Sequence, residues 1–351
     1  MRVKLEDVCK RIYAGGDVPK DRYSEVMTEE YSVPIYANAE KDNGLYGYTD
    51  KAREEELSIT VAARGTIGFT AIRREPFLPV VRLITVVPDT DKVSERYLYY
   101  VLKNCKPKSS GTSIPQLTVP DIKKNSLELY DISEQEHIAD QLDNVNRIIE
   151  ARKQELQLLD DLIKARFVEL FGDVQHEEKY KGIQLRELCT TVSGGTPSTK
   201  FPDYYEGDIP WISTVSLGPN HIDGSTAKGY ITQEAIDNSA TKLIPAGNIL
   251  FGTRVGVGKS SLNDVDICTN QDIVAIIGID ESRFKRLFIK HVLDAYQPYY
   301  DSIKKGATIL GITGDDLKDT LIPDAPIEIQ MEYEAFVEQV DKSKVVAQQA
   351  Y

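Results

Sequence analysis

Short apolar runs alternate with turn residues in two stretches of the chain, residues 1–131 and about 180–326. Runs rich in Val, Ile and Thr predict strands, and amphipathic runs between them predict short helices. The predicted strands are 59–62, 80–87, 248–251 and 273–277, and the predicted short helices are 94–103 and 281–296. Gly and Pro are concentrated between these runs and indicate turns. Each stretch therefore predicts a β-rich α+β domain.

A different pattern fills residues 133–172, where apolar side chains recur every three or four positions. Ser133 and Glu136 form a capping-box pattern at its start, and Gly172 is a favourable C-terminal stop. The apolar positions are Ile138, Leu142, Val145, Ile149, Leu156, Leu159, Ile163 and Leu170, with Arg152 and Arg166 interrupting the register. A helix of about 40 residues is about 60 Å long, so the pattern predicts a coiled-coil arm.

A second helix of the same kind is predicted to begin near residue 327. Tyr333, Phe336, Val340 and Ala347 keep its apolar register. The last residue, Tyr351, corresponds to Leu156 of the first helix, so we expect the second arm to be 16 residues shorter than the first.

These similarities are part of a duplication that extends along the whole chain. Residues 3–9 resemble 183–189 at an offset of 180, residues 64–68 resemble 254–258 at 190, and residues 111–135 resemble 306–330 at 195. The order is kept and the offset only increases, as expected for one unit that was copied and then acquired loop insertions.

Composition and charge limit the classes of function. The 351 residues include 42 Lys+Arg against 55 Asp+Glu, a net charge of −13, which at first argues against a nucleic-acid partner. However, residues 133–172 and 324–351 carry −4 each, which leaves only −5 for the two β-rich stretches. The four cysteines are isolated, so neither a zinc site nor a disulfide scaffold is predicted. The sequence has no apolar run of membrane length and no signal-peptide pattern, so we expect a cytoplasmic protein.

Catalytic chemistry is not indicated by any motif. Residues 252–260 resemble a phosphate-binding loop, but Thr253 stands where the motif requires a glycine. Lys259 in that loop leaves a nucleotide-binding hypothesis open. The four histidines lack metal-ligand spacing, and no nucleophile, base and oxyanion site come together in the sequence. A recognition or scaffold protein is therefore favoured.

Several short motifs, mainly in the second copy, resemble one known family. They are Leu-Arg-Glu-Leu at 185–188, Ser-Gly-Gly-Thr-Pro-Ser at 193–198, Gly-Asp-Ile-Pro-Trp-Ile-Ser at 207–213, Ile-Leu-Phe-Gly-Thr-Arg at 249–254 and Asn-Gln at 270–271. In this order, and duplicated, they resemble the specificity subunit of type I restriction–modification systems over essentially the whole chain. The first copy departs from the motifs, since Val80-Val81 stand where the second has Asn270-Gln271.

The resemblance implies a fold and a division of labour. It implies an α+β protein with two target recognition domains (1–131 and 174–326) in pseudo-twofold repeat, separated by two long antiparallel helices (132–173 and 327–351). Each domain would read one half of a bipartite double-stranded DNA site, and the helices would set the spacer. The helices would also dock two methyltransferase subunits in a complex with restriction subunits. S-adenosylmethionine, ATP and magnesium would belong to those partners, and this chain would hold no cofactor and perform no catalysis.

Candidate DNA contacts are basic and amide side chains on the turns of the β-rich stretches. In the first stretch they are Arg64, Arg82, Lys106, Lys108, Ser109 and Thr112, and in the second they are Arg254, Lys259, Asn270, Gln271, Lys304 and Lys305. Arg64 and Arg254 recur in both copies although two half-sites differ, so they are better suited to phosphate or structural roles than to base reading. The candidate partner-binding positions are Leu142, Val145, Ile149, Leu156, Leu159, Ile163, Leu170, Phe336 and Val340.

A second hypothesis is a structural coiled-coil scaffold whose β-rich domains bind proteins or glycans. The acidic net charge favours it, whereas the motifs of the second copy do not. Salt-dependent retention on DNA separates the two hypotheses, because phosphate contacts make affinity fall steeply with salt.

Overall fold

The computed structural model describes residues 1–105, 116–176, 179–306 and 308–349. The chain divides into two compact units, Met1–Ala151 (unit 1) and Arg152–Tyr351 (unit 2), and the division falls within the long helix. In the part of the chain that is described, no helix is both long and apolar enough to cross a membrane.

Unit 1 contains a four-stranded antiparallel sheet, a three-stranded mixed sheet and a two-stranded pair. The strands are β1 (Arg2–Lys4), β2 (Cys9–Ala14), β3 (Val33–Tyr36), β4 (Leu45–Thr49), β5 (Ser58–Val61), β6 (Thr70–Arg73), β7 (Leu78–Pro79), β8 (Ile84–Pro88) and β9 (Ser126–Glu128). The sheet orders are β2-β8-β5-β6, β4-β3-β7 and β1-β9. The helices are α1 (Glu95–Lys103), α2 (Val119–Lys124) and α3 (Ile132–Phe171). The second half of α3 lies in unit 2.

Unit 2 repeats this plan with additional elements. Its strands are β10 (Gly182–Gln184), β11 (Thr190–Ser193), β12 (Ile209–Ile212), β13 (His221–Ile222), β14 (Gly229–Ile231), β15 (Leu243–Ile244), β16 (Ile249–Gly252), β17 (Ser260–Asn263), β18 (Ile267–Thr269), β19 (Ile273–Ile277) and β20 (Leu321–Pro323). The sheet orders are β11-β19-β16-β17-β13, β14-β12-β18-β15 and β10-β20. The helices are α4 (Gln233–Asp237), α5 (Arg286–Ala295), α6 (Gln297–Ile303), α7 (Gly314–Lys318) and α8 (Ile327–Gln349).

The same strand pairings occur in both units, as the duplication predicted. The parallel pair β3–β7 corresponds to β12–β18, and β2-β8-β5-β6 corresponds to β11-β19-β16-β17. The capping box of α2, Thr118 with Asp121, recurs in α7 as Thr313 with Asp316. Each box satisfies helix N–H groups that would otherwise lack a partner.

The core of each unit is formed where a helix covers the larger sheet. β5 and β8 of unit 1, and their counterparts β16 and β19 in unit 2, consist mainly of buried and often β-branched residues, which suit a strand that is covered on both faces. In unit 2 the aromatic ring of Phe171 lies 4.5 Å from that of Phe288 and 5.4 Å from that of Tyr333.

Within unit 2, the end of α3 and the helix α8 run antiparallel. Phe171 lies against Tyr333, near the start of α8. The Lys344 ammonium, near its other end, lies 2.7 Å from the Asp160 carboxylate, eleven residues earlier in α3. Residues later in α8 thus meet residues earlier in α3, as the resemblance implied.

Three local predictions were wrong. The strand predicted at 80–87 begins only at Ile84, because residues 80–83 form a turn in which Val81 and Arg82 have φ of 52° and 61°. The predicted helix 281–296 begins only at Arg286, and α6 follows it. The predicted Ser133–Glu136 capping box is absent. The carboxylate of Asp131 accepts from the Glu134 N–H at 2.9 Å instead.

Candidate nucleic-acid interface

The two predicted arginines of unit 1 lie at one end of its larger sheet. β5 and β8 are antiparallel, with Val61 opposite Ile84. Arg64, just after β5, and Arg82, just before β8, are therefore at the same end of the sheet, which we call the arginine edge of unit 1. Both side chains are exposed. Arg64 donates to the Gln116 side-chain oxygen at 2.8 Å, and neither arginine is ion-paired with any residue that the structure describes.

The arginine edge of unit 2 is the equivalent sheet end, and four predicted residues meet there. Arg254 follows β16, Lys259 precedes β17, and Asn270 and Gln271 precede β19. The backbone N–H of Gly252 donates to the Lys259 carbonyl at 2.9 Å and so closes the loop between β16 and β17. The Lys259 side chain is exposed and has no ion-pair partner among residues 179–306 and 308–349.

Arg254 differs from Arg64 in having a carboxylate nearby. Its guanidinium lies 3.7 Å from the Asp272 carboxylate, which is only 15% exposed. Position 272 in unit 2 corresponds to position 82 in unit 1, because Ile273 donates to the Asn270 carbonyl as Leu83 donates to that of Val80. An arginine in one unit thus stands where the other has an aspartate.

The two candidate amides, Asn270 and Gln271, are already hydrogen-bonded. The Asn270 amide N–H donates to the Asp272 carboxylate at 3.2 Å, and the Asp272 N–H donates back to the Asn270 oxygen at 3.3 Å. The Gln271 oxygen accepts from the Thr196 hydroxyl. Both side chains would have to exchange or share these bonds in order to contact a base.

The remaining lysines divide between the edge and its surroundings. Lys305 forms an isolated β-bridge with Gly311. The next residue, Ile312, donates from its N–H to the Thr253 carbonyl at 2.9 Å, which places this β-bridge next to the arginine edge of unit 2. Lys304 instead forms an ion pair with Asp301 in α6. The other basic turn, with Lys106, Lys108, Ser109 and Thr112, lies outside the described residues.

The glycine loop that resembled a phosphate-binding loop is a β-hairpin. Gly252–Lys259 connects the antiparallel strands β16 and β17, whereas a phosphate-binding loop leads from a strand into a helix N-terminus. The Gly258 N–H donates to the Gly252 carbonyl, as the Gly68 N–H donates to that of Ala62 in unit 1. The nucleotide-binding hypothesis is therefore wrong in its structural premise, and the loop is a repeated element of the two edges.

The apolar helix positions behave differently in the two halves of α3. In unit 2, Ile163 and Val340 are buried, and Leu159, Leu170 and Phe336 pack against the core. Leu156 is half-buried. In unit 1, Ile149 is half-buried, but Leu142 and Val145 are 36% and 52% exposed. Ile138 packs against the core of unit 1, whereas further along this half the residues that contact α1 are polar and include Asp143 and Asn146.

Gln135 and Gln330 are functional candidates whose role the sequence did not reveal, although their repeat at one offset was visible. Both are fully buried. Gln135 accepts from the Ser94 N–H at 2.9 Å and donates to the carbonyls of Lys92 and Tyr130. Gln330 makes the same three bonds, with Lys285, Arg283 and Ala325. Each glutamine thus joins the start of a long helix to the start of α1 or α5, and we call these contacts the glutamine joints.

Beside each joint is a polar network of different character. In unit 1 the Arg96 guanidinium binds the carboxylates of Glu136, Asp140 and Asp143, all partly exposed. Hydrogen bonds from Tyr100 and Arg96 lower the pKa of Asp143.

In unit 2 the network is buried and centred on His291. This imidazole bonds the Tyr333 hydroxyl at 2.5 Å and the Asn220 side-chain oxygen at 2.8 Å. Burial, followed by the charge of Lys290, lowers the pKa of His291 well below its usual value. The imidazole is therefore neutral near pH 7.

Neither a metal site nor a reactive thiol is found among the described residues. They contain no group of three or more His, Cys, Asp or Glu that could hold a metal ion. Burial raises the pKa of Cys9 to about 12 and that of Cys189 to about 11, so these thiols remain protonated near neutral pH.

Comparisons with known proteins assign this duplicated fold to a class. The family model described as "Type I restriction modification DNA specificity domain" matches residues 1–159 and 177–349. The chain therefore belongs to the type I restriction–modification DNA specificity family, with two specificity domains in tandem.

The relatives found by sequence carry the same description. A putative type I specificity subunit of Mycoplasma pneumoniae is 33% identical over 165 residues, which is 44% of this chain and 45% of that protein. A putative type I restriction enzyme specificity subunit of Methanocaldococcus jannaschii is 22% identical over 93% of this chain and 83% of its own length. The match spans about half or less of the first curated relatives. The expected membership of the type I specificity-subunit family is therefore confirmed.

Solved structures share the fold. The S subunit of a type I system from M. genitalium aligns with all of this chain and 91% of its own at a TM-score of 0.55 and 13% identity. A chain from a study of complex assembly and conformational transition in the type I R-M system aligns at 0.58 and 17% identity, covering 92% of that chain. The α+β fold with two recognition domains is thus confirmed.

Proposed function

We propose that this chain is the non-catalytic DNA-recognition component of a type I restriction–modification complex, and that each unit reads one half of a bipartite duplex site. The observation that supports this most strongly is the duplicated arginine edge. Arg64 and Arg254 stand on equivalent hairpin loops at equivalent sheet ends. A cation repeated at the same place on two scaffolds suits phosphate, which is the same in every half-site.

Differences around the shared arginine would then provide sequence reading. The exposed residues Val81 and Arg82 in unit 1 correspond to Gln271 and Asp272 in unit 2, whereas Val80, the counterpart of Asn270, is buried. Apolar groups suit the thymine methyl, arginine suits guanine, and amides suit adenine. Two arginine edges that share a phosphate-binding arginine but differ in the neighbouring side chains would select two different half-sites.

The long helices would set the unread spacer and dock the partners. The recognition domains would span residues 1–131 and 174–326, and the helical segments 132–173 and 327–351. A spacing function requires each domain to be held rigidly to its helix, and the glutamine joints support that requirement. The exposed apolar residues Leu142 and Val145 would belong to a docking surface for two methyltransferase subunits, with restriction subunits joining the complex. S-adenosylmethionine, ATP and magnesium would be bound by those partners, and the complex would work in the cytoplasm.

The decisive experiment is co-expression with the cognate methyltransferase subunit, followed by mapping of methylated adenines in the host genome. We expect methylation within one split motif that has two specified halves and a fixed unread spacer. A complex of correct composition that methylates no split motif would contradict the proposal. Omitting this chain provides the control, because methylation should then disappear.

A further inference from the structure

The turn that carries Arg82 has an unfavourable backbone. The Leu83 N–H donates to the Val80 carbonyl at 3.0 Å, so Val81 and Arg82 are the two central residues of a tight turn. Both have φ above 50°, a conformation usually taken by Asn and Gly in such turns. A β-branched residue is strained there, so other contacts must hold the turn in place.

Asn38 supplies such a contact and links the turn to the Arg64 loop. Its amide N–H donates to the Val81 carbonyl at 2.5 Å, and its amide oxygen accepts from the Ala63 N–H at 2.8 Å. Only one orientation of the amide satisfies both bonds, since one partner is an acceptor and the other is a donor. One half-buried side chain thus joins the residue before Arg64 to the residue before Arg82.

Unit 2 joins the equivalent loops by a direct bond, at the residue after the counterpart of Val81. Thr253, the counterpart of Ala63, donates from its N–H directly to the Asp272 carbonyl at 2.8 Å. The correspondence is secure because Leu117 donates to the Ala63 carbonyl as Ile312 donates to that of Thr253. Among the described residues of unit 2, positive φ in this turn is absent: Gln271 and Asp272 have ordinary values. The side chain of Asn38 thus links two loops that unit 2 links directly at the neighbouring residue, and the strained turn occurs in the unit that has the side-chain bridge.

We propose that Asn38 is a positioning residue that holds Arg64 and Arg82 together on the arginine edge of unit 1. This inference rests on the proposed function, because it assumes that the edge contacts DNA. Without Asn38 the Val81–Arg82 turn relaxes to negative φ, which moves Arg82 away from its place beside Arg64. Asn38 itself need not touch DNA.

The test measures DNA affinity as a function of salt for the assembled complex with its methyltransferase subunits. Asn38→Ala should weaken binding to the cognate site by a few-fold, no more than Arg82→Ala does, and reduce the slope of log affinity against log salt by about one, the change expected when one cationic contact to DNA is lost. Newly methylated sites should carry mismatches in one half of the motif only. Asn125→Ala is the matched control, because the Asn125 amide also bonds a backbone carbonyl, that of Asp121, at the other end of unit 1.

A second substitution separates positioning from a general loss of structure. Adding Val81→Gly to Asn38→Ala removes the backbone strain, since glycine adopts positive φ readily. The double variant should recover most of the salt slope and the one-sided specificity. If Asn38→Ala does not fold, Asn38→Leu provides the same measurement, because leucine keeps the side-chain volume and adds no charge but can neither accept from Ala63 nor donate to Val81.

The outcomes are distinguishable from failure of the proposed function. If the wild-type complex methylates its split motif and folded Asn38→Ala keeps the wild-type slope and specificity, the positioning role is overturned. If adding Val81→Gly to Asn38→Ala does not restore the slope of log affinity against log salt, the positioning role of Asn38 is also overturned. If the wild-type complex itself shows neither salt-dependent binding nor split-motif methylation, the proposed function is wrong.

Discussion

Units 1 and 2 are built on one plan, yet they differ most where DNA recognition would take place. Their sheets, capping boxes and glutamine joints correspond residue by residue, because these contacts hold the scaffold together. At the arginine edges, by contrast, Arg82 stands opposite Asp272, and a side-chain bridge in unit 1 links the loops that a backbone bond links in unit 2. The duplication has thus kept the contacts that position a surface and changed the surface itself.

The largest expected effect concerns a shared feature, the glutamine joints. Gln135→Ala and Gln330→Ala should each lower the free energy of unfolding by about 2–4 kcal/mol, since three buried backbone groups lose their partner in each case. Calorimetry on the two variants should show similar losses. Gln141→Ala is a matched control on the exposed face of α3 and should change stability by less than about 0.5 kcal/mol. A large loss in only one unit would break the equivalence of the joints.

A smaller effect should distinguish the networks beside the joints. Unfolded histidine takes up a proton below about pH 6.5, whereas buried His291 stays neutral because its pKa is lowered. The unfolded state then binds more protons, so stability should fall as the pH decreases below about 6.5, by at most about 1.4 kcal/mol per pH unit.

Thermal unfolding at pH 7.5, 6.5 and 5.5 measures this dependence. His291→Gln should flatten it, because the glutamine amide does not titrate. Unit 1 has Tyr100 beside its joint, and burial, followed by the hydrogen bond to Asp143, raises the pKa of that phenol, so it stays neutral over the same range. Equal pH dependence in the wild type and in His291→Gln would contradict the assignment.

The charge difference between the arginine edges predicts effects of opposite sign on DNA binding. Arg82→Ala should weaken DNA binding a few-fold and reduce the salt slope by about one. Asp272→Asn should strengthen binding and increase the slope, because Arg254 loses the carboxylate 3.7 Å away. Salt titrations of both complexes on the cognate site provide the measurement. Changes of the same sign would show that the two positions are not equivalent on DNA.

The smallest effect on stability is expected at the exposed apolar positions of α3. Val145→Ser should change the unfolding free energy by less than about 0.5 kcal/mol, while co-purification with the methyltransferase subunit weakens if this face is a docking surface. Ile163→Ser, at a buried position of the same repeat, should destabilise unit 2 strongly. Unchanged co-purification with Val145→Ser would remove Val145 from the docking surface.

Much of the fold could be predicted because its signals are local or duplicated. The apolar repeat of α3, the stop at Gly172 and the β-branched strands depend on neighbouring residues, and they were identified correctly apart from residues 80–83, which form a turn. In the first half of α3 the sequence left two roles open, because a regular apolar repeat fits both a buried stripe and an exposed one. Only the contacts of Asp143 and Asn146 with Tyr100 show which face packs inward.

The candidate site was only partly predictable. Arg64 and Arg254 were found because they repeat, and the structure places each at the equivalent sheet end. Asn38 had no such signal, since it lies 25 residues before Ala63 and 43 before Val81. Nothing in a stretch of sequence indicates that an amide will bridge two distant loops.

By itself, the sequence determined that one unit is duplicated, that each copy is a β-rich domain followed by a long helix, and which family the chain belongs to. These properties follow from local periodicity and from self-similarity, both of which are visible in the order of the residues alone. The tertiary structure decided which cations share a sheet end, that Asp272 lies beside Arg254, and that Asn38 joins the loops of Arg64 and Arg82. Such relations depend on strand pairing, which brings residues far apart in sequence within hydrogen-bond distance.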